Sequence, residues 1–182
     1  MSEIQDHIRN LDYLTLSLTE EKNNLLMWSH YAKSHKGFVI GFESENIFFS
    51  EKTLSGISPI FNVRYSAERP DYSLTEGSDY HNMYENILLT KSPHWSYEKE
   101  LRMFARSHIG KNIGKDENDF DVYVFNFSPE CLKEIIFGYR MSTDSKQKIV
   151  NLVENRYPNL KIFEAHLSET HFDLDINPYK KP

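Results

Sequence analysis

Lys91-Ser-Pro-His-Trp-Ser-Tyr-Glu-Lys-Glu-Leu-Arg102 gathers two aromatics, a histidine and two carboxylates, with a basic residue at each end. Pro93 removes an amide donor and its ring collides with the preceding turn, so a helix upstream has to stop there. The run Tyr97-Glu-Lys-Glu-Leu-Arg-Met-Phe104 then reads as a β-strand entered from an aromatic loop. Alternation along an extended chain places Glu98, Glu100 and Arg102 on one face and Lys99, Leu101 and Met103 on the other.

Upstream of this segment, Tyr13-Leu-Thr-Leu-Ser-Leu18 alternates as a first strand. Thr19 is placed to cap a helix with Glu20 and Glu21 in its first turn and Leu25, Leu26, Trp28 and Ala32 at helical spacing. Gly37 is placed to close that helix in the left-handed conformation. Phe38-Val-Ile-Gly-Phe42 reads as a buried strand, residues 46–51 as a short helix within a loop, and 60–65 as a further strand. Residues 66–79 carry loop chemistry, and 80–90 helical spacing of Met83, Ile87 and Leu88.

Downstream, the glycine-bearing turn 110–119 leads into Phe120-Asp-Val-Tyr-Val-Phe-Asn-Phe127, the clearest alternation in the chain. Ser128-Pro129 opens a short helix, and 134–138 reads as a strand. Ser142 or Thr143 caps an amphipathic helix that runs to Tyr157, and strands at 160–167 and 172–176 follow. Single helices set among hairpin-like strands point to an α+β fold: a mixed, mainly antiparallel sheet with three to four helices. A length of 182 residues is expected to form one domain, 1–182.

A net charge of −6 disfavours a protein whose main task is to grip nucleic-acid backbone. Cys131 is the sole cysteine, which excludes an intrachain disulfide and a cysteine zinc cluster and makes a small packed thiol the better reading. No apolar run approaches the roughly 20 residues of a membrane span, and the first residues lack the order of a signal peptide. A reducing cytoplasm is the expected compartment, with no membrane partner.

Three constellations carry chemistry. On a strand, Glu98 and Glu100 would stand about 6 to 7 Å apart on one face, which suits an acid–base or cation-stabilising pair. The competing reading is an exposed face balanced by Lys99 and Arg102. His30 and Tyr31, at the end of Met27-Trp-Ser-His-Tyr-Ala32, sit where a histidine acts as general base or binds phosphate; packing of Trp28 and Tyr31 in the core competes with this. His30 and His35 lack the spacing of helical metal ligands, and no metal is expected. Trp95 and Tyr97 form an aromatic loop beside carboxylates, which suits a flat ring or, equally, a packed corner.

Met27-Trp-Ser-His-Tyr-Ala followed by His35-Lys-Gly-Phe-Val-Ile-Gly-Phe42 resembles the signature of the bacterial domain of unknown function numbered 2971. Lys91 with Trp95-Ser-Tyr-Glu-Lys-Glu-Leu-Arg102 resembles that family's second signature, and Glu134-Ile-Ile-Phe-Gly-Tyr-Arg-Met141 its C-terminal region. Members usually carry further residues ahead of the first signature, so the resemblance implies a domain short at its N-terminus. Glu98-Lys-Glu100 is also similar to the Glu-x-Glu pattern of ADP-ribosyltransferases. That resemblance implies Glu100 as catalytic carboxylate, Glu98 as its partner, and His30, Tyr31, Trp95, Tyr97, Lys91 and Arg102 as contacts for NAD. The fold would be ADP-ribosyltransferase-like, the setting a bacterial or phage toxin or phage defence, and the acceptor a protein or nucleic acid. Two alternatives stand beside it: a non-catalytic binding or inhibitor protein that keeps the family fold, and a metal-dependent nuclease built on Glu98, Glu100 and Lys99.

Overall fold

The computed structural model describes residues 13–49, 56–70 and 86–181. In chain order the elements are β1 (Tyr13–Thr19), α1 (Leu25–Tyr31), β2 (Phe38–Phe42), β3 (Phe61–Asn62), β4 (Arg64–Tyr65), β5 (Thr90–Lys91) and β6 (Glu100–Arg106). They continue with β7 (Lys111–Lys115), β8 (Asp121–Val124), β9 (Leu132–Phe137), α2 (Thr143–Arg156), β10 (Lys161–Leu167) and β11 (Leu174–Pro178). These fall into two compact units. The first takes in residues 13–20 and those described between 49 and 126; the second takes in 21–48 and 127–181. Helices and mainly antiparallel sheets mix throughout, so the fold is α+β. No helix among the described residues is long and apolar enough to cross a membrane.

In the first unit β6 is the central strand, with β1 antiparallel on one side and β3 on the other. Met103, Phe104 and Ala105 of β6 are buried, together with Val63 and Leu89. Thr19 is the last residue of β1, opposite Glu100, and its hydroxyl donates to the Glu98 carbonyl, so it does not cap α1. That task falls to Asn24, whose side-chain oxygen accepts from Leu26 N and Met27 N. The expected strand from Tyr97 begins three residues late. Pro93–Glu98 instead forms a 3-10 turn, and Lys99 closes it in the left-handed conformation, φ 41°. Helical backbone in the expected 80–90 segment is described at residues 86–88; residues 80–85 lie outside the described set, as does most of the loop at 66–79.

The strand expected at Phe120–Phe127 is short. Only Asp121–Val124 pairs, with β7, and every residue of β7 is exposed. Its alternation belongs to a two-stranded ribbon with no buried residue, where a period of two does not report a buried face.

The second unit is a four-stranded sheet in the order β11-β10-β9-β2, with β9 and β10 parallel. Along β9 the side chains alternate between two cores. Ile135 and Phe137 pack with Val150 and Val153 of α2, whereas Ile136 packs with Trp28 and Ala32 beside α1, and with Ala165 and Leu174. Ser142 caps α2 through its hydroxyl, which accepts from Ser145 N, and Ser128 caps the turn at Pro129–Cys131 in the same way. Strand β2 lies at the sheet's edge, and Phe38 and Ile40 remain exposed, so the expected full burial does not hold.

The link from α1 to β2 turns on three consecutive left-handed residues, Lys33, Ser34 and His35, and not on Gly37. The Gly138–Arg140 segment binds against it: Gly138 N donates to Gly37 O and Arg140 N to His35 O. A Cβ at Gly138 would stand 2.1 Å from the His35 carbonyl oxygen and 2.9 Å from that of Gly37, both backbone atoms. Gly138→Ala is therefore expected to destabilise the protein by about 3 kcal/mol, read as a lower midpoint in urea unfolding with unchanged slope. An unaltered midpoint would show that the turn moves aside freely.

Candidate functional site

Two short pieces of backbone bring the charged residues of the first unit together. Strand β5 runs parallel to β4 and sets Lys91 beside Tyr65. After the 3-10 turn, the left-handed Lys99 swings the chain so that the side chains flanking it, Glu98 and Glu100, both reach Lys91. The convergence expected from strand alternation is thus real, but a turn produces it. Lys91 Nζ donates to Glu98 Oε2 and, at 2.9 Å, to Glu100 Oε2. Arg102, two residues along β6 on the same face, forks onto Glu100 with Nε at 2.7 Å from Oε1 and Nη2 at 3.1 Å from Oε2. Its Nη1 donates to the Leu88 carbonyl.

Both carboxylates are buried, Glu98 with 2% of its surface exposed and Glu100 with 6%, so they do not lie on an open charged face. Burial pushes the Glu100 carboxyl up. Hydrogen bonds from Arg102, Lys91 and Ser17 outweigh it and bring the pKa down to about 2, so the group is an anion at neutral pH. Burial also works against the Lys91 ammonium, yet the hydrogen bonds and charges of Glu98 and Glu100 raise its pKa.

The aromatic loop lies against this cluster. Lys91 Nζ is 4.9 Å from the centre of the Trp95 ring, and Trp95 is itself 6.1 Å from Tyr97. Trp95 is 38% exposed, so a ring of the site is open to solvent while its carboxylates are not. Six of the eight expected site residues are therefore gathered in one place: Lys91, Trp95, Tyr97, Glu98, Glu100 and Arg102. His30 and Tyr31 lie on α1 in the second unit, both exposed, with their rings edge to face at 6.1 Å. They are not among the residues that the first unit gathers.

Sequence reading missed two members. Tyr65 Oη accepts the Glu100 backbone N–H at 2.8 Å, and Ser17, opposite Arg102 on β1, hydrogen-bonds the Glu100 side chain. Both arrive through strand pairing, and nothing in their local sequence marks them. Among the described residues no group of three or more His, Cys, Asp or Glu side chains is placed to hold a metal, so the further carboxylate that a nuclease site requires is not found there.

The family model described as Protein of unknown function (DUF2971) matches residues 27–103. Residues 27–103 carry the DUF2971 family match. The DUF2971 span takes in both early signatures and every residue of the ion cluster except Ser17. Glu134–Met141 lies outside it. No curated protein and no solved structure matches the chain.

The DUF2971 span also contains a buried histidine in the second unit. His35 stacks on Trp28 at 6.4 Å and lies 4.9 Å from the Tyr139 ring. Ser29 Oγ donates to Leu25 O and sits 2.9 Å from His35 Nε2, while His35 Nδ1 is buried without a partner. With the serine proton directed at the helix carbonyl, the Nε2–H tautomer fits best, and His35 is then a donor to Ser29 and not its base. Burial, and secondarily the Arg140 charge, lowers the His35 pKa.

Two pH dependences follow from these shifts. Glu100, lowered to about 2 in the folded chain from its ordinary 4.5, contributes stability that is present above pH 4.5 and lost as pH falls toward 2. Subtracting a Glu100→Gln unfolding profile from the parent's should expose that loss; parallel profiles from pH 5 to 2 would refute it. His35, lowered from 6.5, contributes stability that is present above pH 6.5 and lost as pH falls through its folded value. The difference between parent and His35→Gln profiles should slope over that window, and a flat difference would show the ring to be freely protonated in place.

Proposed function

We propose that the first unit is an NAD-directed ADP-ribosyltransferase site in which Glu100 is the catalytic carboxylate and Glu98 its partner. The observation that carries this reading is a carboxylate held ionised out of water, one ammonium away from a partly exposed tryptophan ring. Transfer from NAD breaks the bond between ribose and nicotinamide. Positive charge develops on the ribose as the ring departs, and a fixed buried anion stabilises such charge far better than a hydrated one. Glu100 supplies the anion, and its pKa of about 2 keeps it charged at any physiological pH. Glu98 positions the acceptor, and Trp95 and Tyr97 offer aromatic surface to the flat ring. His30 and Tyr31 enter only as expected further contacts for NAD. The acceptor is a protein or a nucleic acid, and the setting a bacterial or phage toxin or phage-defence system in the cytoplasm.

A second reading is favoured by a specific feature: both Glu100 oxygens are already bound by Lys91 and Arg102. In a non-catalytic binding or inhibitor protein the same cluster would serve to pin β5, the 3-10 turn and β6 together.

Calorimetry with NAD and an assay of nicotinamide release separate the two. The transferase predicts binding by the parent and by Glu100→Gln, with release reduced in the variant by about 100-fold or more. No binding by either protein at millimolar NAD would leave the binding protein as the better account.

A further inference from the structure

We propose that Lys91 is a displaceable counter-ion, and that its ammonium keeps closed a subsite for a planar organic cation between Trp95 and the two carboxylates. This rests on the reading of the cluster as a ligand site, and it adds the class of ligand and the means of entry.

Of the two basic residues in the cluster, Lys91 is the one built to move. Arg102 is committed on two sides, forked onto Glu100 and bound to the Leu88 carbonyl, and it stands on the central strand of its sheet. Lys91 stands on a two-residue strand whose described partner is β4 alone. Its ammonium is a point charge on a flexible four-carbon stem, without the planar fork that locks a guanidinium in place. It is also the group that touches both halves of the site, the buried carboxylates and the ring of Trp95. Moving it uncovers both at once.

Charge then selects what can take its place. Removing the ammonium alone would leave two carboxylates buried with the one guanidinium bound to Glu100, which is strongly unfavourable. A neutral ligand does not relieve that, and an anion worsens it. A cation exchanges for the ammonium with little net change in charge, and a planar one gains the indole face as well. A pyridinium loses its charge when its ring substituent departs, so a subsite keyed to charge releases the neutral ring and Lys91 returns.

The chain has two tryptophans, which provides a clean probe. The Trp28 indole N–H is bound to the Lys22 carbonyl at 2.8 Å in the second unit and serves as an internal control for the Trp95 indole signal in a nitrogen–proton correlation spectrum. The full-length protein is titrated with 1-methylnicotinamide, a pyridinium cation, and with neutral nicotinamide. The expected result is that Lys91→Met shifts the Trp95 signal at a cation concentration at least about tenfold lower than the parent requires, while neutral nicotinamide moves it in neither. Equal response of parent and variant, or equal response to the two ligands, would overturn the proposal. Should Lys91→Met not fold, Lys91→Gln keeps a donor toward both carboxylates and is read in the same way. Failure of that variant to fold as well would show Lys91 to be a structural pin and also overturn it. Loss of NAD turnover with the Trp95 response intact would refute the transferase and leave this subsite standing; the reverse pattern would refute the subsite alone.

Discussion

Glu100 remains charged out of water because cations and donors from separate strands reach it together. Lys91 comes from β5, Arg102 from β6 and Ser17 from β1, while Tyr65 of β4 holds the backbone amide at the base of the side chain. Remove the pairing of any one strand and a buried carboxylate loses part of its compensation, a loss that low polarity magnifies. The local order of the first unit and the ionisation of Glu100 are therefore one constraint. The turn at Pro93–Glu98 and the left-handed Lys99 belong to it too, since they deliver Glu98 to the ammonium that also binds Glu100.

The same dependence explains what could be read from the sequence. Features with a local cause were legible: Ser142 before α2, Ser128-Pro129 before its turn, the alternation of β1, the strand at β10, and the grouping of Lys91, Trp95, Glu98, Glu100 and Arg102 within one segment. Features with a remote cause were not. Thr19 looked like a cap until β1 was seen to run through it, and Asn24 took that role. Tyr65 and Ser17 carry no mark of their own, because strand pairing brings them in. Glu98 was assigned to a strand because a non-glycine left-handed residue such as Lys99 is not announced by its side chain.

Phe38–Phe42 and Phe120–Phe127 show the converse. Both have the composition of interior strands, yet one lies at a sheet edge and the other pairs with the exposed β7 in a two-stranded sheet. Hydrophobic alternation reports that a face is apolar; whether another layer covers it depends on topology. In β9 topology and pattern agree, and Ile135, Ile136 and Phe137 read as a continuous apolar run because cores lie on both sides.

The division of the chain bears on how it folds. The first unit is closed by β1 pairing with β6, and the second by β2 pairing with β9, so each is assembled from two distant segments that interleave along the sequence. No single cut can release either one intact. A ribosome emitting this chain presents β1 and β2 long before their partners exist, and both must wait, with apolar strand edges exposed, until β6 and β9 emerge. Slow, largely non-local closure of this kind is where aggregation competes with folding. The early half of the chain is thus the part most in need of protection during synthesis.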